Sequence, residues 1–354
     1  FVGAPGRDHG GTNDTGLVYA YQRSGTLWIA EPVEEVSDAH PGDQFGSSIS
    51  LSGDTALVGA RYDDDMGAAY AFVRVGTTWV PQGKLTADDG STGDAFGCAV
   101  AVDGDTAVVG ALADDSLGWT SGSAYVFMRT GSNWTQQAKL TASDGALGDN
   151  FGEAGGGWGE PGAVRAVGAD DAGGGPAAPI ACWRRGSAIV IVRSGTTWSQ
   201  QAKLVAPNAN AHDNFGDDVS ASGETIAIGA PLRNANNLPG SGAAYVFVRN
   251  GTTWSLQAEV LPSDGATDDR FGTSVSLSGD DLLVGAQWDD DVAANTGSAY
   301  VFTRAGTTWA QQAKLTASNA VMNSNFGSDV SIDGARAIVA APTHLTGRAY
   351  VFAR

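Results

Sequence analysis

Aspartates recur at two fixed distances ahead of six Phe-Gly pairs, and they are the residues of this chain best suited to chemistry. The position seven residues before each Phe holds Asp38, Asp89, Asp144, Asn208, Asp264 and Asn319. The position two residues before it holds Asp43, Asp94, Asp149, Asp213, Asp269 and Ser324. Side-chain oxygens of this kind either bind Ca²⁺ or accept backbone amides and so shape a tight turn. The spacing leaves both roles open.

A second group of aspartates follows a Gly-Ala segment in four repeats and forms pairs or triplets. Adjacent carboxylates repel one another unless they are neutralised, although water and salt suffice on an exposed loop. One hypothesis is that calcium bridges the two groups, while no cofactor is certain. Its candidate ligands are Asp63, Asp64, Asp65, Asp89, Asp94, Asp114, Asp115, Asp144, Asp149, Asp264, Asp269, Asp289, Asp290 and Asp291.

Enzyme signatures are thin. The four histidines are scattered, and the sequence contains no GxSxG, P-loop or HExxH motif. Paired carboxylates suited to glycoside cleavage occur in every repeat, whereas catalysis normally breaks the symmetry of a repeat at one place. We therefore predict that the chain is not an enzyme. Trp119 and Trp288 break the repeat pattern within loops, where an exposed indole stacks on a sugar, anchors a protein partner, or simply packs over its own loops.

The bulk composition restricts the partners. A net charge of −19 over 354 residues argues against nucleic acid, because phosphate binding requires clustered Lys and Arg. Cations, basic proteins and neutral sugars remain compatible with this charge. No apolar run approaches the roughly 20 residues of a membrane helix, so no membrane span is predicted. Whether the two cysteines, Cys98 and Cys182, form a pair cannot be read from their spacing.

The elements that position these residues form a repeat of about 50 to 60 residues. In its second copy, four β-rich runs are separated by short turns: FGSSISL, ALVGA, AYAFVR and WVPQGKLT. Runs that are apolar at consecutive positions are typical of strands covered on both faces. The pattern predicts an all-β fold, a seven-bladed β-propeller of four-stranded antiparallel blades. We expect a single domain, 1–354, with repeats at about 1–44, 45–95, 96–150, 151–214, 215–270, 271–325 and 326–354.

Antiparallel strands send the loop between strands two and three, and the connection from strand four to the next blade, to one rim. That rim collects most of the aspartates, while the Arg that closes strand three lies at the other end. The sequence opens within strand two and stops after strand three. We therefore expect incomplete first and last blades, with flanking residues that this chain lacks or edges capped by another element.

Residues 153–185 interrupt the repeat with a stretch rich in Gly, Ala, Pro, Arg and Trp. Three interpretations stay open: a local reading-frame error in a GC-rich gene, a real irregular blade, or a ligand-specific insertion. Ordered packing of Trp158, Trp183 and Arg184 would exclude the frame error.

The repeated motifs resemble the FG-GAP repeat. Phe-Gly opens strand one, Gly-Ala-Pro or Gly-Ala closes strand two, as at Gly229-Ala230-Pro231, and Ala-Tyr-Val-Phe forms strand three. The resemblance implies the seven-bladed propeller of integrin α chains and of bacterial surface or secreted proteins. One departure is that integrin-type blades bind calcium between strands one and two, where this chain has only turns such as SGDT and SGET.

These observations together predict an extracellular or cell-surface module for binding or adhesion, which uses its acidic loop face to bind a protein or glycan ligand. Two alternatives are a structural subunit of a surface polymer or filament, formed by self-assembly, and a lectin-like propeller that binds carbohydrate through Trp119 or Trp288.

Overall fold

The computed structural model describes residues 1–8, 14–33, 36–156, 165–169, 186–208, 210, 212–343 and 347–353. The regular structure in these residues is antiparallel strand, with two single 3₁₀ turns at Asp63–Asp65 and Ala235–Asn237. In this part of the chain no helix has the length and apolar character needed to cross a membrane. Contacts divide the chain into two compact units, Phe1–Gly155 with Thr196–Trp198, and Gly156–Gly195 with Ser199–Arg354. The single domain stays a prediction.

The first unit holds three sheets in which neighbouring strands follow chain order. The first sheet has three strands, β1 (Val2–Ala4), β2 (Leu17–Ser24) and β3 (Leu27–Glu31). The second has four, β4 (Phe45–Ser52), β5 (Thr55–Ala60), β6 (Ala68–Val75) and β7 (Thr78–Leu85). The third has β8 (Phe96–Asp103), β9 (Thr106–Ala111), β10 (Ser123–Thr130) and β11 (Asn133–Leu140).

The other sheets follow in the same order. One contains β12 (Gly155–Gly156), β13 (Arg165–Ala169), β14 (Ser187–Ser194) and β15 (Thr197–Leu204). The next two contain β16 (Val219–Ser222), β17 (Thr225–Ala230), β18 (Ala243–Asn250) and β19 (Thr253–Val260), then β20 (Phe271–Ser278), β21 (Asp281–Ala286), β22 (Ser298–Ala305) and β23 (Thr308–Leu315). The last has β24 (Val330–Asp333), β25 (Arg336–Ala341) and β26 (Arg348–Ala353).

The fold is an all-β propeller of antiparallel four-stranded blades, but the predicted number of seven blades is wrong, and six is correct. Strand one of each of the six blades begins at a Phe-Gly pair or four residues after it; five of these blades have four strands and the last, β24–β26, has three. The remaining sheet, β1–β3, has no Phe-Gly strand and leaves most of β2 and β3 exposed. It therefore lacks the packed inner strand that defines a blade.

Aromatic rings hold each blade together. The Phe of strand one packs edge-on against the Tyr and Phe of strand three, with ring centroids 5.4 Å apart for Phe96 and Tyr125 and 6.0 Å apart for Phe96 and Phe127. The strand-three aromatics Tyr125, Phe127, Tyr245, Phe247, Tyr300 and Phe302 are all buried. The strand-four Trp is mostly only partly buried. Of this set only Trp79 is buried, and Trp28 is exposed.

Glycines bring neighbouring sheets into contact. A Cβ atom added at Gly59 would lie 2.0 Å from the carbonyl oxygen of Gly97, and one at Gly229 would lie 2.0 Å from that of Gly272. The Gly of the Gly-Ala motif thus touches the Gly of the next Phe-Gly motif. The two motifs recur together because each repeat requires this close backbone approach.

The turns between strands one and two are two-residue hairpins, as predicted. Ser52 pairs directly with Thr55, and Gly53 between them has φ 58°. At this end three of the Arg residues that close strand three pair with the acid of the turn: Arg129 with Asp105 at 2.7 Å, Arg249 with Glu224, and Arg304 with Asp280. The charges of these three Arg residues are therefore neutralised locally.

The predictions for residues 153–185 fall mainly outside the described residues. Trp158, Trp183 and Arg184, on which the choice among the three interpretations depends, lie outside the described residues, and so does Cys182, whose pairing with Cys98 the sequence left open.

Candidate functional site

The rim carboxylates meet at a lysine of strand four. This lysine lies five residues after the Trp near the start of that strand. We call each such group a lysine cluster. It consists of the Lys, the Asp three residues after Gly-Ala, the Asp seven residues before the preceding Phe-Gly, and the Tyr of strand three. The three described clusters are centred on Lys84, Lys139 and Lys314.

The Lys139 cluster has the simplest geometry. Its Nζ lies 2.7 Å from Asp89 and 2.8 Å from Asp114. The Tyr125 hydroxyl lies 2.8 Å from the same Asp114 carboxylate and 3.0 Å from Asp89. The Lys139 Nζ also lies over the Tyr125 ring, 5.1 Å from its centroid. Asp114 is buried and Asp89 exposed, so the cluster joins an inner carboxylate to an outer one.

The other two clusters repeat this arrangement. The Lys84 Nζ lies 2.8 Å from Asp38 and 2.6 Å from Asp63. The Lys314 Nζ lies 2.8 Å from both Asp264 and Asp289, and it also pairs with Asp291. The inner carboxylates Asp63 and Asp289 each have only 2% of their side-chain surface exposed. Each buried negative charge is therefore neutralised by a positive charge from its own blade.

The protonation equilibria follow from this pairing. Burial alone raises the pKa of Asp114, but hydrogen bonds from Lys139 and Ser116 outweigh it and hold this pKa well below its ordinary value. The hydrogen bond from Lys139 likewise lowers the pKa of Asp89. Burial opposes the charge of Lys139, yet its bonds to Asp114 and Asp89 raise its pKa. All three groups are thus held charged at neutral pH.

The aspartates two residues before Phe-Gly have the structural role. Asp94, Asp149 and Asp269 each accept a backbone amide from three residues earlier, at 2.6–2.7 Å, rather than from two residues on as the sequence suggested. Burial raises the pKa of Asp269 to about 6, and the nearby Asp289 adds to this. These carboxylates close the turn and do not enter the lysine clusters.

The remaining candidate ligands are dispersed. Asp64 contacts Lys84 at 3.2 Å, and Asp115 accepts the amide of Thr120 at 2.6 Å. The other three, Asp65, Asp144 and Asp290, are exposed on the loops.

These residues do not form an oxygen-lined cation site. In each described cluster a lysine nitrogen stands between the carboxylates that a calcium ion would bridge, and calcium requires six to eight oxygen ligands. Among the described residues no group of three or more His, Cys, Asp or Glu side chains could hold a metal ion. Calcium binding stays a prediction, and at these carboxylates it requires displacement of the ammonium group.

The blade β16–β19 exchanges the two charges, and we call it the charge-exchanged blade. Arg233 stands where the three lysine clusters have the inner Asp, and Glu259 stands where they have Lys. The Arg233 Nε lies 3.6 Å from Glu259 Oε1, and it donates to the Tyr245 hydroxyl at 3.2 Å. Asn208 replaces the outer Asp and accepts a hydrogen bond from Tyr245 at 2.9 Å. An acidic and a basic side chain are thus still paired in this blade, but each occupies the position that the other has in the lysine clusters.

A pocket of about 580 Å³ opens beside this exchange, and we call it the asparagine pocket. It is lined by Asn210, Arg233, Asn234, Asn236 and Asn237. Asn210 belongs to the connection before β16, and the other four belong to the loop between β17 and β18. Among the described residues that line it there is no carboxylate, in contrast to the equivalent loops of the lysine clusters.

The two candidate tryptophans differ. Trp119 is 69% exposed, beside Leu117 and Leu147, which are also exposed. Trp288 is half-buried, with the Arg270 guanidinium carbon 3.3 Å from its ring centroid. One face of Trp288 is thus covered by its own chain, whereas Trp119 is exposed.

Sequence reasoning missed the basic residues of these sites. Lys84, Lys139 and Lys314 share one position after the Trp, and the one repeat with Glu259 there also has Arg233 after Gly-Ala. This reciprocal change was readable in the sequence. It was overlooked because only the acids were considered as candidates.

Comparison with known proteins agrees with this architecture. A sequence profile described as FG-GAP repeat matches residues 36–72, 79–127, 134–175, 198–247, 254–302 and 309–352. No curated protein matches the sequence. Among solved structures, the chain is similar to a protein from Bacteroides uniformis ATCC 8492 described as a "putative 6-phosphogluconolactonase", with a TM-score of 0.54 and 12% identity, over 94% of this chain and 90% of that one.

This structural likeness corrects one prediction. The chain was predicted not to be an enzyme, partly because its blades repeat one another. A propeller of the same fold is described as an enzyme, so a repeated blade is no argument against catalysis. At 12% identity the likeness concerns the fold alone and transfers no activity.

Proposed function

Because the chain belongs to the FG-GAP repeat family, whose repeats are typical of extracellular and surface proteins, we propose that it is an extracellular or cell-surface module for binding or adhesion. Its partner is a protein that docks on the loops between strands two and three and on the adjoining connections between blades. In a rigid scaffold such loops are where binding residues are usually placed.

The exposed apolar group around Trp119 is the observation that carries this proposal. Trp119 is 69% exposed, Leu147 58% and Leu117 48%. Trp119 and Leu117 lie in the loop between β9 and β10, and Leu147 lies in the connection that follows β11. A Cβ at Gly145 would lie 2.7 Å from Leu117 Cδ1, so the two loops touch. Large apolar side chains gathered on touching loops are typical of a protein-binding centre.

Charge supports a basic partner. The outer carboxylates of the lysine clusters remain exposed, with 53% for Asp89 and 41% for Asp38. Each is neutralised only in part, and the chain has a net charge of −19. A partner with Lys and Arg around an apolar centre would complement this surface, and long-range attraction would speed its association at low salt.

Replacing Trp119 with Ala is expected to weaken binding to such a partner by at least about tenfold, because it removes the central indole. The measurement uses an array of immobilised peptides that combine Lys or Arg with a central aromatic residue, followed by titration of the best ligand at two salt concentrations.

The matched control is Tyr62→Ala, which removes an exposed aromatic from the equivalent loop of the neighbouring blade. It should bind as the wild type does. The proposal fails if no cationic peptide binds, if binding is insensitive to salt, or if Trp119→Ala retains full affinity.

A further inference from the structure

The asparagine pocket lies where the regular pattern of the rim is broken. In the lysine clusters the inner position after Gly-Ala is a buried Asp, whereas the charge-exchanged blade has Arg233 there. The loop that follows contains three asparagines, Asn234, Asn236 and Asn237. Purely structural pairing would be satisfied by the exchange of Arg233 and Glu259 alone. It does not account for a cavity lined by amides.

The pocket offers many hydrogen-bonding groups. Asn234 Oδ1 accepts the Gly240 amide at 2.9 Å, which leaves its NH₂ group for a ligand. Within the described residues, the side-chain amides of Asn236 and Asn237 make no hydrogen bond. The Arg233 Nε is used by Tyr245, while its Nη1 lies 3.5 Å from the Asn234 carbonyl oxygen. Both donors and acceptors are therefore available at short spacing.

The pocket carries little net charge. The Arg233 guanidinium has Glu259 at 3.6 Å and Asp213 at 3.8 Å, so its charge is already compensated. The protein as a whole has a net charge of −19, which repels anions at long range. An acidic ligand is therefore disfavoured, and no carboxylate lines the pocket to attract a cation.

We propose that the asparagine pocket binds a neutral saccharide, whose neighbouring hydroxyl groups pair with the amides of Asn236 and Asn237 and with the Arg233 guanidinium. Amide and guanidinium groups match hydroxyls that both donate and accept. A volume of about 580 Å³ lies in the usual range for small-ligand sites and accommodates one or two sugar rings. This site is separate from the Trp119 surface and does not rest on the protein-binding proposal.

Backbone conformation permits a clean test. Asn236 and Asn237 have φ of 52° and 64°, a region that glycine also adopts without strain. The double variant Asn236→Gly/Asn237→Gly therefore removes both amides and leaves the loop path intact. A second variant, Arg233→Asp/Glu259→Lys, removes the pocket guanidinium. It gives this blade the Asp and Lys that the lysine clusters have at these two positions. Asn323→Gly is the matched control, since Asn323 is an exposed residue with φ 60° in another connection.

The probes are immobilised neutral oligosaccharides of hexoses and N-acetylhexosamines, with uronate- and sialate-bearing ones for comparison. A neutral hit is then titrated with the folded wild type and variants, whose melting curves verify folding. The wild type and Asn323→Gly should bind alike, and both double variants should bind at least tenfold more weakly. The proposal would be overturned if no neutral probe bound at millimolar concentration or if only acidic probes bound. It would also be overturned if both double variants bound the neutral hit as tightly as the wild type does.

Discussion

Replacing Lys314 with Met is expected to destabilise the protein by about 3 kcal/mol at neutral pH. The Lys314 ammonium lies 2.8 Å from both Asp264 and Asp289, and Asp289 has only 2% of its side-chain surface exposed. Methionine keeps the packing of the stem but leaves a buried carboxylate without its counter-charge. Denaturant unfolding at pH 7 measures the loss in the free energy of unfolding. The comparison requires that the wild type and Lys314→Met are both folded and unfold in a two-state transition.

The pH dependence of this loss has a definite sign. Burial would raise the pKa of Asp264, but the hydrogen bond and charge of Lys314 hold it below its ordinary value. Such a carboxylate contributes stability above its unfolded-state pKa, and this contribution disappears as the pH falls through the folded-state value. The deficit of Lys314→Met should therefore shrink in acid. Lys314→Arg, which keeps the charge, is the control and should lose much less. A deficit that is equal at pH 7 and in acid would contradict the electrostatic explanation.

Replacing Gly59 with Ala is expected to cost about 3 kcal/mol, because the new methyl group has no room. Its Cβ would lie 2.0 Å from the Gly97 carbonyl oxygen and 2.3 Å from Ser48 Oγ. The serine can rotate away, but the carbonyl belongs to the first strand of the neighbouring sheet and moves only with that sheet. Thermal and denaturant unfolding measure the effect.

Gly83→Ala provides the matched control within the same sheet. Its Cβ would lie 4.0 Å from Trp134 Cδ1, and the equivalent residue is Ala138, Ala258 or Ala313 in other repeats. We expect no loss or a gain of about 0.5 kcal/mol, since alanine restricts the unfolded chain. If Gly59→Ala unfolds like Gly83→Ala, the close contact between the two glycine motifs is not what holds neighbouring sheets together.

The strands and their order could be predicted from the sequence, because both depend on local signals that recur in every copy. Gly53 marks a hairpin turn, and consecutive apolar residues such as those of β5 mark a strand covered on both faces. The number of blades was overestimated because β1–β3 has the sequence of strands two to four. The sequence shows that no Phe-Gly strand precedes β1, but only three-dimensional packing reveals that most of β2 and β3 is exposed.

The candidate site was predicted only in part. The fixed spacing of the aspartates correctly indicated that loops from successive repeats meet, as Asp89 and Asp114 do at Lys139. The spacing did not indicate which cation neutralises them, because a carboxylate pair looks the same beside calcium or lysine. The asparagine pocket depends on the path of the single loop between β17 and β18. A comparison that looks for what the repeats share does not reveal a feature that occurs in one repeat.

The central claim of this account is that the blades with lysine clusters each neutralise their own rim charges, and that the charge-exchanged blade does so with the polarity reversed. A double-mutant cycle on Arg233→Asp and Glu259→Lys tests it most directly through the free energy of unfolding. We predict that each single variant loses about 2 kcal/mol or more, since it places like charges together, and that the double variant returns to within about 1 kcal/mol of the wild type. A double variant whose loss equals the sum of the two single losses would contradict the claim.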